Sequence, residues 1–416
     1  MHGTSSVNIE EISRLLDFSG EGRPVLWGMF QSTVAASQFY DVEEHNGIVY
    51  ILSAWGCTLQ IVSVSGASPV LLGSIVLGSP AAAFMSVKGS YAYIGTYWDG
   101  GGYAWLKIVD VSDPTNPVLA GQASYRSYVQ TQIWSPPAIN AAATRAYCTE
   151  TGSGGLVVFD ITDKTAPALL WAAGTYASAS LRLKGNTAFV VDYDNQLLRA
   201  YDVSVDPPVQ LGSVSVSQSP FPVHLALDPD RDYAYVGAYY SKTITTVDVS
   251  SPAAMTICGS FDLDRVMTNL RSVDETLYVS HSGGGGITAI DISDPCNPVK
   301  TWIISLPVSP ASTESMWINH ETLRAYVLSR YSTAAQDQMY VYDLSGYHPK
   351  PMMSASSRVL IALEMIIHGN LIMPTPTVPL TATSPGRKGQ IAWDANNIYV
   401  CWADNKWKQA SLVPIP

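Results

Sequence analysis

The clearest pattern in the chain is an alternation of apolar and polar residues that stops at an aspartate, passes a proline and starts again. The stretches LKIVDVSDPTNPVLAG from Leu106, LRAYDVSVDPPVQLG from Leu198 and ITAIDISDPCNPVKTW from Ile287 show it most fully. Alternation with a period of two, in segments rich in β-branched residues, predicts strands rather than helices. Each stretch is therefore expected to form two antiparallel strands joined by an Asp-Pro turn.

This pattern recurs along most of the chain at nearly equal intervals. Its anchor positions are Asp17, Ser63, Asp110, Asp160, Asp202, Asp248, Asp291 and Asp343. Successive anchors are 46, 47, 50, 42, 46, 43 and 52 residues apart, and an upstream hairpin such as the one at 86–97 precedes the turn. A period in the forties with four strands per unit predicts a propeller blade. The expected fold is all-β, a seven-bladed β-propeller of four-stranded antiparallel blades.

The ends of the repeat array indicate how the ring closes. The last unit has a poor outer strand, HPKPMM, whereas PVLWGMFQ at Pro24–Gln31 has the character of an outer strand without a blade. Pairing the two ends would remove both exposed strand edges. We expect the seventh blade to combine residues 24–31 with residues 312–345.

The anchor aspartate itself is expected to be structural. An Asp at the end of a strand can accept hydrogen bonds from backbone N–H groups two residues further on, and proline presets φ for the turn. A catalytic group would occur once or twice, whereas this aspartate recurs in nearly every unit.

The repeated strand and turn resemble the LVIVD repeat family, whose motif is carried by LKIVDVSDPTNPV at 106–118. The resemblance covers about residues 15–345. It implies a propeller of the kind found in bacterial and archaeal surface or secreted proteins. It is specific for fold and weak for function.

Composition divides the chain into an N-terminal arm (1–21), the propeller (22–345), a connector with a Pro/Thr-rich linker (346–388) and a C-terminal module (389–416). The segments IAWD, NIYVCWA and KWKQASL of that module predict a three-stranded β-meander. Because three strands are marginal alone, we expect the module to pack against the propeller, another protomer or another protein. Its aromatic residues are Trp393, Tyr399, Trp402 and Trp407.

The C-terminal module resembles a motif near the ends of bacteriophage tail-fibre and other virion proteins. The matching positions are Gly389, Ile391, Ala392, Asp394, Ile398, Tyr399, Val400, Cys401, Asn405, Trp407, Lys408 and Ala410. The resemblance implies a phage structural protein located in the virion. No fibrous shaft precedes the motif, which favours a compact decoration or adaptor, although a fibre-like member would be a homotrimer.

Charge and cysteine content narrow the possible partners. With 34 acidic and 23 basic residues and a net charge of −11, neither nucleic-acid binding nor attraction to an anionic bilayer is expected. The start of the chain lacks the pattern of a secretory leader, and no segment predicts a transmembrane helix.

The cysteines are Cys57, Cys148, Cys258, Cys296 and Cys401, widely spread, and we expect isolated thiols rather than a disulfide framework.

Candidate binding residues are the aromatic side chains expected in the loops between the second and third strands, which emerge on one face of a propeller. They are Trp55, Tyr97, Trp98, Tyr103, Tyr193, Tyr239, Tyr240 and Tyr331. Aromatic rings with a polar group suit protein contacts and sugars.

We identify no catalytic motif, metal site or cofactor. Asp228, Asp230 and Asp232 lack the glycine and distal glutamate of a calcium loop, and His224 is expected to be a satisfied, partly buried side chain.

Together these features favour a non-enzymatic structural protein of a tailed-phage virion, in a tail fibre, baseplate or head decoration. Its partners would be other virion proteins and a host-surface receptor or glycan. Two alternatives stay open. One is a bacterial or archaeal cell-surface binding protein, and the other is a propeller enzyme acting on polysaccharide. The enzyme would need paired carboxylates or a His–acid pair converging on the channel.

Overall fold

The computed structural model describes two parts of the chain. The first runs from residue 25 to residue 344, with gaps at 33–37, 55–56, 67, 79–80, 98–102, 127–134, 151–154, 174–176, 217–221, 239–241, 283–285, 305–311 and 331–336. The second is the backbone of three strands within 391–411. The chain divides into two compact units, and the first part falls in the unit that spans Gly22–Lys350.

The described residues of this unit form seven four-stranded antiparallel sheets arranged as the blades of a ring, which confirms the predicted β-propeller. The strands of each blade are given from the innermost outwards. Blade 1 contains β2 (Phe39–His45), β3 (Ile48–Ser53), β4 (Thr58–Ser63) and β5 (Val70–Val76). Blade 2 contains β6 (Ala82–Lys88), β7 (Tyr91–Thr96), β8 (Tyr103–Asp110) and β9 (Val118–Arg126). Blade 3 contains β10 (Ala138–Ile139), β11 (Arg145–Glu150), β12 (Gly155–Asp160) and β13 (Ala168–Ala173). Blade 4 contains β14 (Ser178–Lys184), β15 (Thr187–Asp192), β16 (Leu197–Asp202) and β17 (Val209–Ser215). Blade 5 contains β18 (Pro222–Leu227), β19 (Tyr233–Ala238), β20 (Thr243–Asp248) and β21 (Thr256–Asp262). Blade 6 contains β22 (Met267–Val273), β23 (Thr276–His281), β24 (Ile287–Asp291) and β25 (Val299–Ile304).

The seventh blade joins the two ends of the propeller. Its inner strands are β26 (Ser312–Asn319), β27 (Arg324–Arg330) and β28 (Gln338–Asp343), and its outer strand is β1 (Val25–Gln31). In the antiparallel register, Phe30 lies opposite Met339. Phe30 is only 6% exposed and stacks on Phe39 of blade 1, with ring centroids 6.4 Å apart. The predicted closure is thus confirmed, and it uses both backbone pairing and core packing.

The anchor aspartates cap the strands that they end. The Asp110 carboxylate accepts the Ser112 N–H at 2.9 Å, and Asp248 accepts the Ser250 N–H at the same distance. Asp160, Asp202 and Asp291 make the corresponding bond. These bonds hold the pKa of Asp160, Asp202 and Asp248 below the usual range. The repeated aspartate therefore stabilises the turn, as the sequence predicted.

The turns of blades 2, 3, 5 and 6 also pack against the preceding blade. In blades 1 to 6 the outer strand pair shifts register at the same place in the repeat, one residue before the anchor position. At Gly121, beside this bulge, a Cβ atom would lie 2.5 Å from the Lys164 carbonyl oxygen in the turn of the next blade. Gly73, Gly212 and Gly259 have equally close backbone neighbours. Glycine in these outer strands thus lets neighbouring blades approach.

A disulfide joins Cys258 in β21 to Cys296 in the turn of blade 6, so the expectation of isolated thiols is wrong for this pair. The packing of an outer strand against the next turn brings their Cα atoms to 5.0 Å, within the range a disulfide spans. Sequence spacing does not show this, because the two residues belong to different blades. Cys57 and Cys148 are buried free thiols, as expected.

The predicted C-terminal meander is also present. Strands β29 (Ile391–Trp393), β30 (Asn397–Ala403) and β31 (Lys406–Ser411) form a three-stranded antiparallel sheet with β30 at its centre. Val400 lies opposite Ile391 on one side and Lys408 on the other. No helix among the described residues is both long and apolar enough to span a bilayer.

The closing strand gives a test by truncation of a single side chain. Replacing Phe30 by alanine should lower the free energy of unfolding by about 3 kcal/mol, because a buried aromatic side chain leaves a cavity. Its neighbour Met29 is 47% exposed, so Met29→Ala should change stability by less than about 0.5 kcal/mol. Urea unfolding followed by tryptophan fluorescence measures both values. Equal effects of the two substitutions would contradict the described packing of β1.

The approach of neighbouring blades gives a second test. Gly121→Ala places a methyl group against the backbone of the next turn and should destabilise the protein by about 1–3 kcal/mol. Gly66→Ala is the matched control, since a Cβ atom there meets nothing within 4 Å. Calorimetric melting temperatures separate the two variants. A Gly121→Ala protein that melts with the wild type would show that the blades do not approach this closely.

Candidate ligand-binding channel

The inner strands present equivalent residues to the centre of the ring. Six of them begin with a register shift, and the first paired residues after it are Asp41, Phe84, Ser180, His224, Asn269 and Ser315. Two residues further along the same strands are Glu43, Ser86, Arg182, Ala226, Arg271 and Trp317. Because side chains alternate along a strand, both sets lie on one side of their strands. The inner strands are therefore alike in backbone geometry and different in side-chain chemistry.

Two carboxylates of blade 1 hold the inner strand of blade 2. Asp41 accepts the Met85 N–H at 2.9 Å, and Glu43 accepts the Val87 N–H at 3.0 Å. The other oxygen of Asp41 accepts the Ser315 hydroxyl at 2.9 Å, which ties blade 1 to blade 7. An inner strand has an unpaired edge, and its N–H groups need acceptors once they are buried. These acids therefore stabilise the wall of the channel.

Burial dominates the electrostatics of Asp41. It raises the pKa of this carboxyl from 3.8 to about 6, although the bonds from Met85 and Ser315 and the charge of Arg271 act in the opposite direction. Asp41 is 3% exposed, so little water stabilises its charged form. It therefore changes charge close to neutral pH.

Two arginines also lie on inner strands of the ring. Arg182 comes from β14 of blade 4, and Arg271 comes from β22 of blade 6. The Arg271 guanidinium stacks on the Trp317 ring, 3.7 Å from its centroid. Burial, followed by the neighbouring charge of Arg182, lowers the pKa of Arg271 to about 10. Arg271 therefore stays protonated at neutral pH, and the charge of Arg182 lies close enough to act on it.

Two cavities meet at these arginines. One has a volume of about 220 Å³ and extends past Glu43, Lys88, Ile139 and Trp317. The other has a volume of about 260 Å³ and extends past Lys184, Asp228 and Ser272. Arg182 and Arg271 line both of them. The arrangement can hold a small polar ligand on either side of the guanidinium pair.

Histidines flank the same region. His45 Nε2 lies 2.7 Å from a Glu43 oxygen, which makes a His–acid pair on β2. His224 is partly buried, as expected, but its Nε2 atom has no hydrogen-bond partner among the described residues, so the expectation of a satisfied side chain is wrong for this nitrogen. Burial lowers the pKa of His224 to about 4, which keeps the ring neutral.

The predicted aromatic loop residues do not all fall within the described part of the chain. Trp55, Trp98, Tyr239, Tyr240 and Tyr331 lie outside it. The Tyr97 hydroxyl donates to the Tyr40 hydroxyl at 2.6 Å, and Tyr40 makes an edge contact with Phe84. Tyr103 is partly buried at the start of β8, whereas Tyr193 packs against the core between blades 4 and 5. Among the three described candidates, Tyr97 is thus shown beside other aromatic rings. Tyr103 lies on a strand of blade 2, and Tyr193 belongs to the packing between blades 4 and 5.

The remaining candidates are Asp228, which has local structural partners, and the aromatic residues of the meander. Asp228 accepts two hydrogen bonds from the guanidinium of Arg231, at 2.9 and 2.6 Å, and caps the turn at the end of β18. No group of three or more potential metal-ligating side chains occurs among the described residues. Trp393, Tyr399, Trp402 and Trp407 lie on the strands of the meander, and their side chains lie outside the described atoms.

The charged channel residues were not predicted from the sequence. Arg182 and Lys184 on β14, like Asp41 and Glu43 on β2, lie in segments whose pattern predicts strands and carries no binding motif. The available signal was charge at alternate positions of strands that are otherwise apolar. Since the innermost strand of a blade is enclosed by the ring, charges there are placed where they are hard to solvate.

Comparison with known proteins supports the repeat and the fold. Three segments match the LVIVD repeat, at residues 81–124, 231–263 and 277–303, which correspond to blades 2, 5 and 6. The chain therefore contains LVIVD repeats, as the resemblance implied. No curated protein matches it significantly.

Solved structures are similar in fold alone. Saccharomyces cerevisiae Sqt1 aligns with a TM-score of 0.53 at 11% identity, covering 77% of this chain and 99% of that chain. The WD40 repeats of RRP9 align with a TM-score of 0.57 at 9% identity, with the same coverage of 77% and 99%. A functionally unknown protein from Desulfotomaculum acetoxidans aligns with a TM-score of 0.56 at 10% identity, covering 68% of this chain and 89% of that chain.

The titration of Asp41 gives a measurable pH dependence. Its pKa is higher in the folded than in the unfolded protein, so its contribution to stability is complete below about pH 4 and is lost as the pH rises through about 6. Relative to Asp41→Asn, the wild type should lose about 3 kcal/mol between pH 4 and pH 7, since one pKa unit corresponds to about 1.4 kcal/mol. Urea unfolding of both proteins across this range measures the difference. Parallel pH profiles would contradict the burial of this carboxyl.

Proposed function

We propose that this chain is a non-enzymatic structural protein of a tailed-bacteriophage virion, belonging to a tail fibre, a baseplate or a head decoration. In this proposal the C-terminal meander attaches the chain to other virion proteins, and the propeller binds a protein or glycan on the host surface. The proposal rests on the resemblance of residues 389–410 to a motif of virion proteins, a stretch that overlaps all three strands of the meander.

The size of the meander supports attachment. It contains three short strands, and sheets of this size are marginal unless they pack against something else. Strand β30 pairs on both sides, while β29 and β31 each pair on one side within this sheet. Unpaired strand edges and one sheet face are ready surfaces for another chain.

The construction of the propeller supports a binding role. The repeated aspartates, turn prolines and outer-strand glycines act in turns and in contacts between blades. What differs between blades is the side chains of the inner strands and the loops. A rigid scaffold that carries variable surfaces is a common arrangement for recognition.

A cell-surface binding protein of a bacterium or archaeon is a second candidate, favoured by the LVIVD repeats in blades 2, 5 and 6. An enzyme acting on polysaccharide is a third, favoured by the His45–Glu43 pair and by the raised pKa of Asp41. Against an enzyme, Asp41 and Glu43 both accept backbone hydrogen bonds from blade 2. Incubation of the purified chain with host polysaccharide distinguishes these roles, since release of shorter saccharides would require an enzyme.

The attachment role is tested by disrupting β30 in phage that encode the chain. Val400→Pro removes a backbone N–H at the centre of the meander, whereas Val400→Ile keeps the strand and serves as the matched control. We expect mass spectrometry of purified particles to find the wild type and the isoleucine variant, with the proline variant reduced at least tenfold. Absence of the wild-type chain from particles would overturn the virion role. Equal incorporation of the proline variant would overturn attachment through the meander.

A further inference from the structure

The arginine pair of the channel has few protein acceptors. Among the described residues, the only hydrogen bond from the Arg182 guanidinium runs from Nη1 to the Leu181 carbonyl at 2.8 Å. The only one from the Arg271 guanidinium runs from Nε to the Met316 carbonyl at 3.1 Å. A guanidinium has five N–H donors in a planar fork. Most donors of both side chains therefore have no protein partner in the described structure.

Other arginines of the protein show what a satisfied guanidinium looks like in this fold. Arg199 holds Asp192 at 2.6 Å, and Arg231 holds Asp228 at 2.6 Å. Within the described residues, neither Arg182 nor Arg271 forms such an ion pair with a carboxylate. Each is partly exposed, lies on an inner strand and lines both cavities. Arg324, which stacks on Trp27, also has no carboxylate partner among the described residues, but Arg182 and Arg271 are the two arginines that line the same cavities.

The nearby acids do not take the place of a partner. Asp41 and Glu43 influence both arginines through their charge, but their oxygens accept hydrogen bonds from Met85, Val87, Ser315 and His45. Moving either carboxylate onto a guanidinium would leave a buried backbone N–H without an acceptor, which is unfavourable. The acids therefore offset the positive charge at a distance and leave the donors open.

Two like charges held side by side repel each other, and they are stabilised when an anion lies between them. The stack of Arg271 on Trp317 fixes the plane of one fork and reduces the entropy that binding would remove. The two cavities that share these arginines have room for the rest of a small molecule. We propose that Arg182 and Arg271 together bind an oxyanion, a carboxylate or a phosphate group carried by a small ligand in the channel. This site does not depend on the virion role, since it uses no residue of the C-terminal module.

The proposal is tested with the full-length protein and three probes at equal ionic strength. Galacturonate presents a carboxylate, inorganic phosphate presents a phosphate, and galactose is the uncharged control. Isothermal titration calorimetry should show saturable binding of at least one oxyanion and none of galactose. Binding of galacturonate alone identifies a carboxylate site, and binding of phosphate alone identifies a phosphate site. No saturable binding of either oxyanion would overturn the proposal.

Substitutions assign the binding to the arginine pair. Arg182→Gln and Arg271→Gln should each weaken oxyanion binding at least tenfold, because a charge-assisted pair of donors is lost. Arg271→Lys keeps the charge without the fork and should weaken it less. Arg145→Gln, on a partly exposed ion pair with Asp206, changes the net charge equally and should bind as the wild type does. Melting curves without ligand verify folding, and removal of one repelling charge should leave the melting temperature unchanged or higher. Equal affinity of all variants would overturn the assignment.

Discussion

The pairing of Val25–Gln31 with Gln338–Asp343 is the interaction on which the structure depends. A propeller blade buries its faces only against neighbouring blades, so an open array would leave two faces and two edges in water. Because β1 from the start of the propeller pairs with β28 at its end, the seventh blade is complete and the array closes into a ring. Closure also creates the channel, because only a complete ring brings the inner strands of blades 1, 4 and 6 towards one axis.

Repeated and unrepeated residues have different tasks in this ring. The aspartate of each turn accepts backbone hydrogen bonds, and the outer-strand glycines admit the turn of the next blade, so these positions recur for structural reasons. The inner strands follow the same register but carry an acid pair in blade 1, Arg182 in blade 4 and Arg271 in blade 6. The charged residues of the channel therefore lie at positions that differ from blade to blade.

Much of the fold follows from sequence because its signals are local. Period-two alternation, the Asp-Pro turns and the spacing of anchors predict the blades, and Pro24–Gln31 predicts the closing strand. The Cys258–Cys296 bond and the arginine pair could not be predicted in this way, because each joins residues from different blades whose relation depends on the ring geometry. The aromatic residues were predicted to lie in the loops between the second and third strands, and only Tyr97, Tyr103 and Tyr193 among them are described.

Amide hydrogen exchange of the full-length protein tests ring closure most directly. If the N-terminal strand closes the ring, peptides that cover Val25–Gln31 exchange as slowly as those that cover the neighbouring strand of the same blade, Gln338–Asp343. They lose protection only when the whole propeller unfolds, because the strand is part of one cooperative ring. Rapid exchange throughout Val25–Gln31, with protection retained in blades 1 to 6, would contradict closure by the N-terminal strand.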